Sequence, residues 1–536
     1  MLTVAKLRFE MQDILKLAGF IICCCKGRIP NTLRIMSDQY DVIIVGAGPA
    51  GLTAGYILTK KSNERIAILE AHPTLVGGIS RTERYKDYLF DIGGHRFFSK
   101  SQEIENLWRE ILPDDFIERP RKSRIYYNGK FYSYPLRAFE ALRNLGIWES
   151  FVCVLSYVKA RIFPITSPRT FREWVSNQFG ARLFNIFFKT YTEKVWGISC
   201  DEISADWAAQ RIKGLNLAIA VWRAVMKSLG ISNRRGGKKV VKTLIESFRY
   251  PRRGPGMLWD AAAKRTVAQG GEILMAHEAR RFVYDAGADL WTVKGIDAAG
   301  KEFNFTARHV ISSAPLRDVM QAIVPLPGSA TAARELKYRD FITVAIMLNH
   351  APEFDDNWIY IHDPSVKVGR VQNFSSWSPD MVPNDHSGCL GLEYFCFEND
   401  GIWATPDSAL IDLAKNELEK LGFAKREHMT DGVVVRQKKA YPVYDDHYKA
   451  VVETIRRDLE QNYPGFHPVG RNGMHKYNNQ DHAMMTGVLT AENIMAGVEK
   501  FNVWNVNEDA EYHEEVGPDR SAALNSLREV PERVQN

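Results

Sequence analysis

Cysteine is scarce and scattered in this sequence: seven residues, at 23, 24, 25, 153, 200, 389 and 396, with no CxxC pair and no Cys/His spacing that assembles a metal site. A zinc module and a disulfide framework are both excluded, and a reduced, cytoplasmic protein is the simplest expectation. Charge of one sign is not in excess either. Lys and Arg number 70 against 64 Asp and Glu, a net of +6, too little for a general nucleic-acid binder, so no nucleic-acid partner is expected. The apolar centre of the N-terminal segment, Leu15–Cys25, has eleven residues, whereas a membrane-spanning helix takes about 20, and no small-x-small cleavage signal follows it. No internal repeat or low-complexity tract is visible. With 45% hydrophobic and 25% charged residues and a mean hydropathy of −0.27, the disordered, collagen-like, coiled-coil and multi-span membrane classes are excluded.

What is present begins near the N-terminus. Met36-Ser37-Asp38-Gln39-Tyr40 leads directly into a strand, so Met36 reads as a start and residues 1–37 as an extension that need not be native. Acylation of Cys23–Cys25 is the competing reading. Val42-Ile43-Ile44-Val45 is the unbroken apolar run of a strand covered on both faces, and Gly46-Ala47-Gly48-Pro49-Ala50-Gly51 follows without a gap. Gly46 permits a tight turn, Gly48 lets backbone approach a pyrophosphate, and Gly51 lets the following helix pack on the strand. Arg65–Glu70 supplies a second strand that ends in a carboxylate 19 residues beyond Gly51. Glu70 can accept both hydroxyls of a ribose. This pattern alone does not separate FAD from NAD.

The next stretch does. Gly77-Gly78 with Arg81, a cation able to neutralise the same pyrophosphate, and then Phe90-Asp91-Ile92-Gly93-Gly94-His95, resemble the FAD-binding half of the amine oxidase and protoporphyrinogen oxidase superfamily. Further along, Tyr134-Pro135, Phe188-Lys189-Thr190-Tyr191-Thr192-Glu193-Lys194-Val195-Trp196-Gly197, Asp206-Trp207, Arg211, Phe248–Gly254, Trp358-Ile359-Tyr360, Arg370, Gly470-Arg471 and Asn479-Gln480-Asp481-His482 resemble, in the same order, the UDP-galactopyranose mutases, the eukaryotic type especially.

The resemblance implies an α/β fold, an α+β composite. Residues 38–100, 245–335 and 430–500 would make a discontinuous Rossmann-like FAD-binding domain, 101–244 a helical substrate domain with a mobile basic loop, 336–429 a sheet walling the cleft, and 501–536 a flexible tail. A helix around Met485–Ala496 would point its N-terminus at the flavin. FAD would be held by Gly46, Gly48, Gly51, Glu70, Gly77, Gly78, Arg81, Gly94, Arg471, Asn479, Gln480 and Asp481. Tyr134, Lys189, Trp196, Tyr360, Arg370 and Tyr477 would bind substrate, with His95 and Arg370 catalytic and no metal. In the mutases reduced flavin acts through N5 on the anomeric carbon of a nucleotide-linked sugar and the ring size changes with no net redox. FAD would therefore have to be reduced by a donor such as NAD(P)H, and cations and phenols should converge on the diphosphate.

Departures from the mutase pattern bear on the substrate. Lys189 stands where those enzymes present a second clamping arginine, and an ammonium cannot form the planar fork of a guanidinium. Leu136-Arg137 follows Tyr134-Pro135 in place of the aromatic-Gln pair of the uridine pocket, and Tyr477 and Asn479 are only two residues apart. The cationic run Asn233–Lys239, continuing to Arg249, Arg252 and Arg253, has three readings: a lid over an anionic substrate, a peripheral membrane contact suited to a lipid-linked sugar, or a solvated loop. A second function class also stays open: an oxidoreductase that passes hydride from an apolar or amine substrate to FAD.

Overall fold

The computed structural model describes residues 39–205, 243–244, 246–507 and 515–516. The chain divides into Met1–Gln39 and Tyr40–Asn536, and the account below concerns the second. The 1–37 extension, Asp206-Trp207, Arg211, Asn233–Lys239 and most of the 501–536 tail lie outside the described residues.

In chain order, β1 (Val42–Val45), α1 (Pro49–Lys61) and β2 (Ile66–Glu70) form the first unit. A hairpin follows, β3 (Ser123–Tyr127) and β4 (Lys130–Ser133), turning through Asn128 and Gly129 at φ 49° and 72°, the conformation that the Asn-Gly pair favours. Next come α2 (Ile147–Ile162), α3 (Thr190–Trp196), α4 (Gly256–Ala268), β5 (Glu272–Met275) and β6 (His309–Ser312). The remainder supplies β7 (Tyr338–Leu348), β8 (Trp358–Ile361), β9 (Arg370–Asn373), β10 (Gly388–Cys396), β11 (Met429–Pro442), β12 (Phe466–Pro468) and α5 (Gln480–Ala496).

Two sheets organise these elements. The first is wholly parallel, in the order β5-β2-β1-β6-β12. β1 is apolar at every position and β2 at all but its final Glu70, because both faces are covered. Val42, Ile44, Ile66 and Ile68 meet α1, α4 and α5 on one side. Ile43, Val45, Ala67 and Leu69 meet Trp291, Phe305 and Phe466 on the other, the alternation that a strand imposes. The second sheet is mixed, in the order β11-β7-β10-β9-β8-β3-β4, with β8 and β3 parallel and the rest antiparallel. All eleven residues of its β7 are buried.

Two boundaries differ from the sequence expectation. The strand Met429–Pro442 pairs with β7, so it belongs to the second sheet and not, as the grouping 430–500 has it, with the parallel one. The hairpin at 123–133, inside the segment expected to be helical, joins that same sheet through β8. The hairpin is announced locally, by Arg124–Lys130 with its Asn128-Gly129 turn, but the sheet that it and Met429–Pro442 join is set by strands far away in the chain, and such pairing leaves no local signal. The last helix begins at Gln480, five residues before the expected Met485, because Asn479 caps it in a box with His482.

Candidate active site

The carboxyl ends of β1, β2 and β6 converge on one groove, where open parallel sheets bind ligands. Gly46 turns there at φ 97°. Gly51 is constrained by space: a Cβ on it would lie 2.0 Å from the Gly46 carbonyl oxygen. Gly48 and Gly78 face one another, the nearest atom to a Cβ on Gly48 being the Gly78 Cα at 3.8 Å. Gly77 N–H donates to the Ala47 carbonyl at 2.7 Å, fastening the two loops together. Gly48 gives α1 no side-chain cap, so backbone N–H groups at that helix start are available to a phosphate. Glu70 accepts from the Ala47 and His72 amides at 2.7 and 2.8 Å, which holds its carboxylate beside the glycine loop. A groove without side chains, an uncapped helix start and a carboxylate at the end of β2 fit the pyrophosphate and ribose of a dinucleotide.

Other expected cofactor residues line this groove in different ways. Arg81 donates to the Gly78 carbonyl, to Gln437 and to Glu83, the last at 2.7 Å, so its charge is already paired. Ser80 Oγ donates to Gln480 at 3.2 Å, Gln480 donates to the Arg96 carbonyl at 2.8 Å, and Ser99 Oγ donates to Asp481 at 2.9 Å. The start of α5 is thereby tied to the turn after β2 and to the loop after His95. Asn479 is the exposed cap of that helix.

The loop Gly93-Gly94-His95 lies over the second sheet, and there a polar and aromatic cluster forms. A Cβ on Gly93 would approach the Tyr441 hydroxyl at 3.8 Å and Arg370 Nη2 at 3.9 Å, while Gly94 faces Trp377 and Gln372. Arg370 on β9 donates through Nε and Nη2 to Glu393 Oε2 on the neighbouring β10, at 2.8 and 2.5 Å. Gln372 donates to the other carboxylate oxygen at 2.6 Å. Tyr360 stands opposite Arg370 in the β8–β9 register. Its ring lies 4.8 Å from that of Tyr134 and 5.4 Å from that of Tyr191. Tyr441 and Tyr477 stack at 5.5 Å, and the Arg471 guanidinium sits about equally over both, at 5.1 and 5.0 Å. Arg471 therefore belongs to this cluster, while a Cβ on the adjacent Gly470 would lie 3.0 Å from that of Ala50 at the start of α1.

Burial sets the protonation states. It lowers the His95 pKa to about 4, with Arg471 and Arg370 adding to the effect, so the imidazole is neutral near pH 7. One ring nitrogen, Nε2, lies 3.0 Å from the Ile92 carbonyl. Burial also pushes Tyr191 well above the usual phenol range and Tyr441 to about 12. Around Arg370 burial disfavours the charge, but Glu393 more than offsets it, and the guanidinium is held firmly cationic.

Two expected substrate residues lie at the ends of α3, the helix that carries Tyr191 into the cluster. Lys189 ends the turn Asn185–Lys189, its carbonyl 3.9 Å from Cys200 Sγ. Trp196 is buried with Phe171, Val175 and Cys200, and its ring lies 6.1 Å from that of Tyr477. The sequence reading gave no role to Glu393, Gln372, Tyr191 or Tyr441. Glu393 had a readable signal, as the lone charge in the strand Gly388–Cys396. Of the cationic segment, Arg249 pairs with Glu105 and Arg252 with Asp380. Among the described residues no group of side chains could hold a metal, and no helix is long and apolar enough to cross a membrane.

A parallel sheet with this glycine groove, beside a second sheet that carries the polar cluster, defines a dinucleotide-binding protein. Residues 49–495 match the flavin containing amine oxidoreductase family; the chain belongs to it, and its cofactor is FAD. The fold is shared with reduced UDP-galactopyranose mutase at a TM-score of 0.72 and 21% identity, covering 86% of this chain and 94% of that one. It is also shared with wild-type putrescine oxidase bound to putrescine, at 0.55 and 17%, covering 85% and 99%. An L-amino-acid oxidase of Crotalus adamanteus is 33% identical over 130 residues, which is 20% of this chain and 24% of that protein. A Klebsiella pneumoniae protein described as "Probable UDP-galactopyranose mutase" is 25% identical over 179 residues, 31% of this chain and 44% of its own length. The chain thus matches less than half the length of either of these two curated relatives.

Proposed function

We infer that this is a mutase-like flavoenzyme that acts on a sugar carried by a diphosphate, nucleotide-linked or lipid-linked, with FAD in its reduced form. The observation that carries the reading is the cluster in which Tyr360 stands opposite Arg370, Arg471 lies over Tyr441 and Tyr477, and both guanidiniums act on His95. Reduced FAD would supply a nucleophilic N5 at the anomeric carbon. The protein's part is to hold the leaving diphosphate while the sugar ring rearranges. Glu393 occupies the Nε–Nη2 edge of Arg370, which leaves the Nη1 edge to face a phosphate. His95, neutral near pH 7, places an uncharged imidazole beside the reacting centre; taking up a proton there would make it an imidazolium, which burial, Arg471 and Arg370 all disfavour. The electron donor would be NAD(P)H or an equivalent reductant.

One observation favours a second reading, an oxidoreductase acting on an amine or apolar substrate. Glu393 neutralises Arg370, and the walls are mostly phenol rings, which suits a neutral or cationic guest better than a dianion. The deciding experiment is anaerobic. Dithionite-reduced protein is titrated with UDP-galactose, UDP-glucose and GDP-sugars while the flavin spectrum is followed, and each sugar is then assayed for ring-size isomers. A spectral shift with a furanose product is expected; no binding in either redox state favours the second reading. Arg370→Ala should weaken nucleotide-diphosphate binding far more than FAD binding, and equal effects on both would remove the phosphate role.

A further inference from the structure

The outer face of α2 is apolar and open. Ile147 is 92% exposed, Trp148 78%, Phe151 53%, Leu155 53% and Ile162 63%, and Phe163 just beyond the helix is 75% exposed. At 3.6 residues per turn the five helical positions fall within about 100° of arc. Lys159 and Arg161, both exposed, flank that stripe on its two edges. The opposite face is the structural one, where Cys153 is buried against Ile186 and Phe187. The helix has 16 residues, about 24 Å in length, too short to cross a hydrocarbon core of about 30 Å.

We propose that α2 is an interfacial helix that docks the enzyme on an anionic lipid surface. The charge around the stripe selects this occupant. Between Arg137 and Arg169 there are five cations and only two carboxylates, and both carboxylates are engaged: Glu140 accepts from Ser133, and Glu149 accepts from Arg182. A symmetric second copy would set this cationic rim against itself, whereas anionic headgroups complement it. Trp148 and Phe151, their rings 6.1 Å apart, are the residue types that settle at a headgroup boundary, with Lys159 and Arg161 placed to reach upward from it.

Docking has a consequence for substrate. The inner face of α2 packs in the same cluster as Tyr134 and Tyr360, so the wall of the cleft would lie roughly one helix diameter, about 10 Å, from the headgroups. A lipid-linked sugar diphosphate could then be engaged without leaving the membrane. This last step rests on the diphosphate-sugar reading above; the docking does not.

The test uses the full-length, FAD-loaded protein and vesicles of equal parts phosphatidylcholine and phosphatidylglycerol, with pure phosphatidylcholine as control. Co-flotation with the anionic vesicles is expected, together with slowed amide exchange in the peptide 147–165. Trp148→Ser with Phe151→Ser and Leu155→Ser should weaken partitioning at least about a hundredfold while flavin content is unchanged. Lys159→Gln and Arg161→Gln should each weaken it about fivefold on anionic vesicles only. Absence of flotation would overturn the proposal, as would flotation that the triple variant leaves intact with no change in exchange at 147–165. A dimer in solution that the triple variant makes monomeric, with no vesicle binding, would assign the face to a second copy instead. Vesicle binding is read without turnover, so its failure is distinct from failure of the mutase reading.

Discussion

Replacing Glu393 with Gln should move stability and anion binding in opposite directions. Glu393 is fully buried, and the Arg370 side chain that it holds is 17% exposed. Neutralising one partner of a buried pair strands the other charge, at a cost of roughly 3–5 kcal/mol. Gln keeps the shape and an acceptor for Arg370, which places the loss near the lower end, at about 3 kcal/mol. A nucleotide diphosphate would regain part of that by supplying the missing negative charge, and about 1.4 kcal/mol of recovery is a tenfold tighter complex. Arg370→Met should instead destabilise the fold and weaken the same complex together, because it strands Glu393 and removes the cation. Urea unfolding of the FAD-loaded variants measures the first quantity, and anaerobic titration of the reduced protein with UDP measures the second. The Arg370→Met/Glu393→Gln double variant closes the cycle and isolates the coupling between the two residues. An unfolding midpoint for Glu393→Gln equal to that of the unsubstituted protein, or weakened UDP binding in both single variants, would refute this account of the pair.

Two further outcomes follow from the cofactor groove and from the buried imidazoles. Gly51→Ala should yield protein with little or no FAD, since its methyl carbon would stand 2.0 Å from the Gly46 carbonyl oxygen; the flavin-to-protein absorbance ratio reads this directly, and a normal ratio would mean that the loop is not the FAD site. Stability should also fall between pH 7 and pH 5. Burial lowers His362 and His467 to about 3 and His475 and His95 to about 4, so over that window the unfolded chain binds protons that the native one refuses. Each imidazole then costs about 2 kcal/mol at pH 5. Asp91 acts the other way, because burial raises it to about 7 and its native carboxyl keeps a proton that the unfolded chain releases, worth about 2 kcal/mol over the same window; one carboxyl against four imidazoles leaves a net loss of roughly 5 kcal/mol, visible as a lower urea midpoint at pH 5.

The cofactor half of the protein was legible in the sequence because its determinants are local. The turn at Gly46, the packing of Gly51, the carboxylate of Glu70 and the Gly77-Gly78 pair all lie within one strand-helix-strand unit and the turn after it, where spacing alone dictates geometry. The substrate half was only partly legible, because it is assembled by register between strands far apart in the chain. Tyr360 meets Arg370 across β8 and β9, Arg370 meets Glu393 across β9 and β10, and Tyr441 arrives on β11. No pattern within any one of these strands reveals its neighbours. The family likeness supplied Arg370, Tyr360 and Tyr477, but a likeness of single positions carries no partners with it.

That difference matters most for charge, and charge is what separates the two candidate functions. Taken alone, Arg370 is a cation waiting for a phosphate. Paired with Glu393 it contributes a directional donor with little net field, and Arg471, held over two phenol rings and bonded to the carbonyls of Asn478 and Ala440, is the cation of the cluster without a carboxylate on it among the bonds described. A dianionic substrate would therefore depend on Arg471 for its long-range attraction and on Arg370 for its orientation. Arg471→Gln, which removes the charge, should then slow association at low ionic strength and flatten its salt dependence. Stopped-flow titration at two ionic strengths tests this, and an association rate unchanged by the substitution would return the field to Arg370.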